Sequence, residues 1–354
     1  MSRLRRRRQV IVGDSREVLC QLPTDSVDAG LTDPPYELNY GAKAWDRTGI
    51  AYAVDLWREV LRVLKPGAHL LAFGAPRTYH RLACAIEDAG FSIRDTIQWW
   101  YGTGYPASMT LAEGVGTALK PGYEPVVLAR KPPLGTTKST YQRWGTGGLR
   151  VFATPLEENR WPANVILSHS PRCTLVTEKA TTPRPAMSFS PHDDAKFDVV
   201  HDREVILCAD DCPVKTLDAT GGDSRFFYVT KPTREERDQG LDLFEPQTGG
   251  ELTDRQEGSA GLDNPRAGAG RTSGGRNVHP CVKSIELLRY LVKLITPPGG
   301  TVLDPFIGSG STGCAAAEEN RPFIGVELSP KYAAIARART ACSQGKPHGN
   351  LDPK

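Results

Sequence analysis

The chain has 354 residues, 39% hydrophobic and 24% charged, which excludes a fibrous or wholly disordered polypeptide and supplies enough apolar surface for a sizeable core. Its 44 basic and 41 acidic residues leave a net charge of only +3, so any nucleic-acid surface must be local rather than global. No run of 18 apolar residues occurs, which excludes a membrane-spanning helix, and eight cysteines without a secretory leader point to a reducing, cytoplasmic setting where thiols are free or bind metal.

The basic run Arg3 to Arg8, interrupted only by Leu4, reads as a solvated tail that can also touch phosphate. Strand and helix signals then alternate through residue 130. A strand is predicted at Val10 to Gly13, a helix at Ser15 to Leu22, and a strand at Val27 to Thr32 that stops at a Pro-Pro pair. A helix over Ala51 to Leu64 is expected to end at Lys65-Pro66-Gly67, followed by a strand at His69 to Phe73, a helix at Tyr79 to Ala89, a strand at Ile93 to Trp99 and an apolar run at Pro125 to Ala129. From Lys131 to Arg276 the periodicity breaks up, and the glycine-rich, charged stretch Thr248 to Gly275 is expected to be mobile without a ligand. Regular signals return with a helix at Ser284 to Ile295, a strand at Thr301 to Leu303, a helix at Ser311 to Glu319 and a strand at Arg321 to Glu327. Ser329 and Pro330 are suited to start a last helix that runs to about Cys342.

Where the second strand ends stands Thr32-Asp33-Pro34-Pro35-Tyr36, at the sheet edge where open α/β folds place their chemistry. An exocyclic base amine is a poor nucleophile because its lone pair is delocalised into the ring. The Asp33 carboxylate and the Pro34 carbonyl, held stiff by two prolines, are suited to accept its two hydrogens and free the lone pair. Tyr36 offers an aromatic face to a base swung out of its duplex. Taken alone, the same residues also suit a plain turn after a strand.

The second motif runs Val302-Leu303-Asp304-Pro305-Phe306-Ile307-Gly308-Ser309-Gly310-Ser311-Thr312-Gly313, a strand leading through a glycine-rich turn into a helix. Gly308 and Gly310 let backbone approach a ligand, Ser309 and Thr312 are small enough to line the turn, and Glu327 at the end of the next strand is placed to accept ribose hydroxyls. The pattern also satisfies a dinucleotide fingerprint. A dehydrogenase, however, needs several strand-helix units after this loop, and only 41 residues follow Gly313.

With both motifs in this order, the chain resembles the beta-class amino-methyltransferases, the DNA adenine-N6 and cytosine-N4 enzymes in which the catalytic motif precedes the cofactor motif. The resemblance spans about residues 10 to 340 and includes Leu64-Lys65-Pro66-Gly67, Tyr101-Gly102-Thr103-Gly104-Tyr105-Pro106, Ala118-Leu119-Lys120-Pro121 and Arg160-Trp161-Pro162-Ala163-Asn164, segments that recur in phage and prophage methyltransferases. It implies an α/β, Rossmann-like S-adenosylmethionine-dependent methyltransferase fold: a mostly parallel twisted sheet, helices on both faces, permuted motif order and an irregular insertion. Residues 1–130 would then form the catalytic half, 131–276 a target-recognition insertion, 277–345 the cofactor half and 346–354 a tail. It implies that Asp33, Pro34, Pro35 and Tyr36 are catalytic, that Asp304, Phe306, Gly308, Ser309, Gly310 and Thr312 surround S-adenosylmethionine, that Glu327 holds its ribose and that Asp14 approaches its adenine. Lys283, in His279-Pro280-Cys281-Val282-Lys283-Ser284, is expected at the cofactor carboxylate, although the family usually carries proline where Ser284 stands. Aspartate at the first catalytic position favours adenine N6 over cytosine N4 in double-stranded DNA. An RNA methyltransferase and a DNA-binding protein without catalysis stay open, as does the choice between monomer and homodimer.

Two further features lie between the motifs. His169-x3-Cys173 and Cys208-x3-Cys212 are ligand pairs of equal spacing with Pro171 and Pro213 beside them, as a structural zinc site requires, though four unrelated residues would read alike. Lys131, Lys138, Arg143, Arg150, Arg225, Lys231, Arg234, Arg255, Arg266, Arg271 and Arg276 are candidates for phosphate and base contacts. Trp144 and Trp161 are expected in the core.

Overall fold

The computed structural model describes residues 8–39, 43–101, 109–153, 161–169, 173–182, 199–210, 212, 214–215, 219, 227–229, 232–248 and 275–343. Most of the basic tail, the Thr103 to Pro106 motif, Pro171, Pro213, residues 249–274 and the candidate DNA contacts Arg225, Lys231, Arg255, Arg266 and Arg271 lie outside the described residues. In chain order the structure contains β1 (Arg8–Val12), α1 (Ser15–Cys20), β2 (Val27–Thr32), α2 (Val54–Val63), β3 (Leu64–Phe73), α3 (Tyr79–Asp88) and β4 (Ser92–Trp100). A small hairpin, β5 (Thr110–Ala112) and β6 (Val115–Gly116), precedes β7 (Tyr123–Arg130), α4 (Thr137–Trp144) and β8 (Val165–Ser168). Then come β9 (Thr174–Thr182), β10 (Val199–Leu207), β11 (Phe227–Val229), α5 (Arg234–Asp238), α6 (Ile285–Ile295), β12 (Val302–Asp304), α7 (Ser311–Glu318), β13 (Phe323–Glu327) and α8 (Pro330–Ser343).

Among the described residues, nine strands form one sheet in the order β1-β13-β12-β2-β3-β7-β4-β8-β11. All neighbouring pairs are parallel except those on either side of β7, which runs antiparallel to β3 and β4. The mostly parallel α/β sheet expected from the alternation is therefore present. All six residues of β2 are buried, as a central parallel strand covered on both faces must be. Alternation along β3 shows the two faces: Leu71 and Phe73 join a core with Leu287, Leu291 and Val292 of α6 and Ala315 of α7, whereas Leu70 and Ala72 join Leu19 of α1, Trp57 of α2 and Ile86 of α3.

Two local expectations change. The predicted helix over Ala51 to Leu64 is a short 3-10 turn at Ile50–Tyr52 followed by α2, and Lys65-Pro66-Gly67 lies inside β3 instead of linking helix to strand. The strand absorbs the proline because its register against β2 shifts between Val27 and Ala29, the kind of irregularity where a missing donor does little harm. Lys65 pairs there with the buried Asp28, and the Pro66 carbonyl accepts the Thr146 hydroxyl at 2.6 Å. Secondly, β8 and β11, from the segment expected as an irregular insertion, extend the main sheet, with Gln98, Trp99 and Trp100 of β4 paired to Val165, Ile166 and Leu167. Four-residue β8 and three-residue β11 were too short to show a periodic signal.

Gly325 in β13 leaves room for Ile307, whose Cβ would lie 2.9 Å from any Cβ added there, and Ile307 donates its amide to Val326 O at 3.0 Å. Gly325→Ala is therefore expected to overpack the strand beneath the glycine-rich turn and lose about 1–3 kcal/mol, readable as a lower urea midpoint with an unchanged m-value.

Candidate active site

Strands β2 and β12 are parallel neighbours, with Val302 opposite Ala29 and Leu303 opposite Gly30, so Asp33 and Asp304 emerge at the same sheet edge. The Thr32 hydroxyl donates to Asp304 Oδ1 at 2.6 Å, joining the two sequence motifs directly. One cleft of about 880 Å³ is lined by Asp33 to Tyr36 and, across from them, by Asp304, Phe306, Gly308 and Glu327.

On the Asp33 side, Lys283 Nζ lies 2.7 Å from Asp33 Oδ2 and 3.2 Å from the Tyr36 hydroxyl. It also pairs with Glu124 at 3.3 Å, and Tyr36 donates to Glu124 Oε2 at 2.8 Å. Lys283, expected at the cofactor carboxylate, is thus engaged with the Asp33 and Glu124 carboxylates. Burial by itself disfavours its charge, yet Asp33 and Glu124 together hold its pKa above the ordinary lysine value. The Tyr36 phenol is pushed well above its usual pKa by burial and then by the same two carboxylates, so it stays protonated and can donate. Asp33 Oδ1 is buried and has no hydrogen-bond partner, an acceptor with capacity to spare. The Tyr36 carbonyl accepts from Thr78 at 2.9 Å, which anchors the end of the tetrapeptide.

Sequence reading missed Glu124. Its signal was a carboxylate at the head of the apolar run Pro125 to Ala129, one residue from burial in β7. It also missed Phe73 and Tyr101, which line the cleft, and Phe73 lies under the Lys283 ammonium at 5.1 Å.

On the glycine-rich side, Gly308 and Gly310 have φ of 52° and 87°, which favours glycine. A Cβ on Gly308 would meet His279 Nε2 at 2.9 Å, and one on Gly310 would meet the Ala336 backbone at 2.9 Å. Glu327 accepts from the Gly308 amide at 3.1 Å and from the Ser329 amide at 2.8 Å. Burial raises its pKa against these backbone donors. Both oxygens are fixed in direction by these amides.

Asp14 caps α1 through Arg16 N at 2.9 Å and forms an ion pair with Arg16 at 2.8 Å. The Ser15 hydroxyl ties that helix to Pro305 O at 2.5 Å. Ser309, expected at the cofactor, has its carbonyl and hydroxyl held by the buried Arg339 of α8 at 2.8 and 3.0 Å. Thr312 hydrogen-bonds Asp304. Ser284, where proline was usual, caps α6 through Leu287 N, while Glu236 accepts from Ile285 N at 2.6 Å. Serine at this position therefore closes the helix start. His279 packs its ring edgewise on Tyr332 at 4.6 Å, and burial lowers its pKa to about 4, leaving it neutral.

His169, Cys173, Cys208 and Cys212 come together outside the cleft, their ligand atoms all within 4.8 Å of one another. Trp161, expected in the core, is 74% exposed and packs edge-on against exposed Phe152 at 6.0 Å. No helix among the described residues is long and apolar enough to cross a membrane.

A family model described as DNA methylase, of the N6 and N4 methyltransferases, matches residues 27–338. The chain is 38% identical over 95 residues to the type II methyltransferase M.XycI of Xanthomonas campestris pv. cyanopsidis, covering 27% of this chain and 29% of that one. It is 54% identical over 54 residues to M.BglI of Bacillus subtilis, covering 15% and 16%. The alignments span less than a third of the length of these curated relatives. Among solved structures, the cytosine-N4-specific PvuII DNA methyltransferase shares the fold, with TM-score 0.51 and 15% identity over 94% of this chain and 86% of that one.

Burial raises the Asp304 pKa to about 6, against the hydrogen bonds from Thr32, Thr312 and Phe306 N that lower it. In the window from about pH 4 to 6 the folded chain holds this proton and the unfolded chain does not, so stability falls as pH rises through it. Asp304→Asn is expected to lack this contribution. The stability of wild type relative to the variant should drop by about 3 kcal/mol across the window, measured by urea unfolding without ligand at pH 4, 5, 6 and 7. A flat difference would remove the assignment.

Proposed function

This chain belongs to the N6/N4 DNA methylase family, and we propose that it transfers a methyl group from S-adenosylmethionine to the N6 amine of adenine in double-stranded DNA, after the base leaves the helix. The observation that carries this reading is that Asp33, whose buried Oδ1 has no partner, lines the same cleft as the Gly308 turn. An acceptor buried without a partner costs free energy, and a substrate amine is the group that would satisfy it.

Asp33 Oδ1 and the Pro34 carbonyl accept the two amine hydrogens, so the nitrogen lone pair points away from the ring plane. Tyr36 stacks under the extruded base while its hydroxyl stays in the Glu124 and Lys283 network. Lys283 is a positioning residue: its 2.7 Å contact to Oδ2 leaves Oδ1 as the oxygen for substrate. The glycine-rich turn, Phe306 and Asp304 hold the methionine part of the cofactor, Glu327 the ribose hydroxyls and Asp14 the adenine side. The fit rests on the paired amides that aim Glu327 and on the tight turn at Gly308 and Gly310. When bound, S-adenosylmethionine supplies a methyl group already activated by a positive sulfonium. The enzyme's contribution is then positioning and electrostatic complementarity, and no covalent intermediate is needed. Adenine is preferred to cytosine because the first catalytic residue is Asp33.

Residues 1–130 and 277–345 act in this reading as catalytic and cofactor halves, and 131–276 supplies target recognition. The exposed Phe152 and Trp161 pair and the basic residues Lys138 and Arg143 of α4 are candidates for DNA contact.

Asp33→Ala is expected to lower methyl transfer about a thousandfold or more while cofactor affinity stays within a few-fold by calorimetry. Phe306→Ala and Glu327→Ala should weaken cofactor binding instead. Nucleoside analysis of DNA methylated with labelled cofactor should give N6-methyladenine. N4-methylcytosine would replace the base assignment, and wild-type turnover by Asp33→Ala would overturn the site.

A further inference from the structure

We propose that His169, Cys173, Cys208 and Cys212 bind one structural zinc ion, which clamps the β9–β10 hairpin to the catalytic edge of the main sheet. The ligands come from separate pieces of backbone. His169 directly follows β8, Cys173 directly precedes β9 and Cys208 directly follows β10. Thr174 and Leu207 form the last rung of that antiparallel pair, so the two cysteines flank the base of the hairpin. Cys212 returns through a turn closed by its amide to Ala209 O at 2.9 Å and is fully buried against Leu167 and Val214.

The geometry is that of a ligand set. His169 Nδ1 lies 3.4 Å from Cys208 Sγ and 3.6 Å from Cys212 Sγ. With zinc–sulfur bonds of about 2.3 Å and zinc–nitrogen bonds of about 2.0–2.1 Å, a tetrahedron has edges of roughly 3.5–3.8 Å. Both of these edges are within about 0.1 Å of that range, and no pair in the set exceeds 4.8 Å. Three thiolates and an imidazole select a soft, tetrahedral cation and leave no open coordination position, which makes the ion structural. Cysteines buried only as small hydrophobes have no reason to converge on an imidazole nitrogen.

The position gives the ion its role. Strand β8 is parallel to β4, β4 and β3 are each antiparallel to β7, and β3 is parallel to β2. The carboxyl end of β8, where His169 stands, therefore lies on the same sheet edge as Asp33. Packing continues inward from it: Ser168 accepts from Trp99 Nε1 at 2.7 Å, and the Trp99 ring meets Tyr101 at 5.2 Å, a residue of the cleft wall. The inference does not rest on the methyl-transfer reading, since cofactor binding and metal content are measured separately.

The test is metal analysis of the full chain purified without chelator, where about one zinc per chain is expected. Cys208→Ser and Cys212→Ser should each lose most of it, and Cys20→Ser, on α1, should keep it. In case these variants do not fold, wild-type protein stripped of metal and titrated with cobalt should show tetrahedral d–d bands with thiolate-to-cobalt charge transfer. Removing the ion should also speed proteolysis within residues 170–215. Zinc below about a tenth of an equivalent together with no cobalt spectrum would overturn the site, as would full zinc retention in both cysteine variants or iron in place of zinc.

Discussion

The hydrogen bond from Thr32 to Asp304 is the contact on which the site depends. It joins residues separated by 272 positions, and it forms only because β2 and β12 pair in parallel at the centre of the sheet. Parallel pairing across so long a stretch carries a loop-closure cost that local structure does not repay. The two halves of the cleft must therefore be assembled by the shared core. Leu31 and Val302 lie in one cluster with α6 and α7, and Val27 and Leu303 lie in the other with α1, α2 and α3.

The polar network above that contact is expensive for the fold. Asp33, Glu124, Lys283 and Tyr36 crowd one wall, and Asp304 stands close enough for the Asp33 charge to raise its pKa further. Buried ion pairs contribute little net stability compared with apolar packing. A site kept this charged, with one carboxylate oxygen unpartnered, is arranged for a ligand rather than for stability. Lys283 makes the arrangement tolerable by neutralising two carboxylates at once.

The glycine-rich turn is held from below and behind. Arg339 reaches from α8 to Ser309 and Ser311 and also to Glu236 O. Glu236 in turn accepts from the first amide of α6, the helix that Lys283 and Ser284 precede. The glycine-rich turn, the last helix and the entry to α6 are thus one connected unit.

What could be read from residues alone was whatever repeats locally. The strand at Val27 to Thr32 and the helices near Tyr79, Ser284 and Ser311 were placed within a residue or two, because hydrophobic period and caps are properties of neighbours in sequence. The tetrapeptide at Asp33 and the turn at Gly308 were visible for the same reason: each is contiguous. Glu124, Arg339 and the bond between Lys283 and Asp33 were not, since each gains its meaning from a partner dozens to hundreds of positions away. The short strands β8 and β11 joined the sheet through neighbours that no period announces. The His169, Cys173, Cys208 and Cys212 spacing suggested a ligand set, but only the fold brought the two pairs together, because the distance between them is decided by how β8 and the β9–β10 hairpin pack.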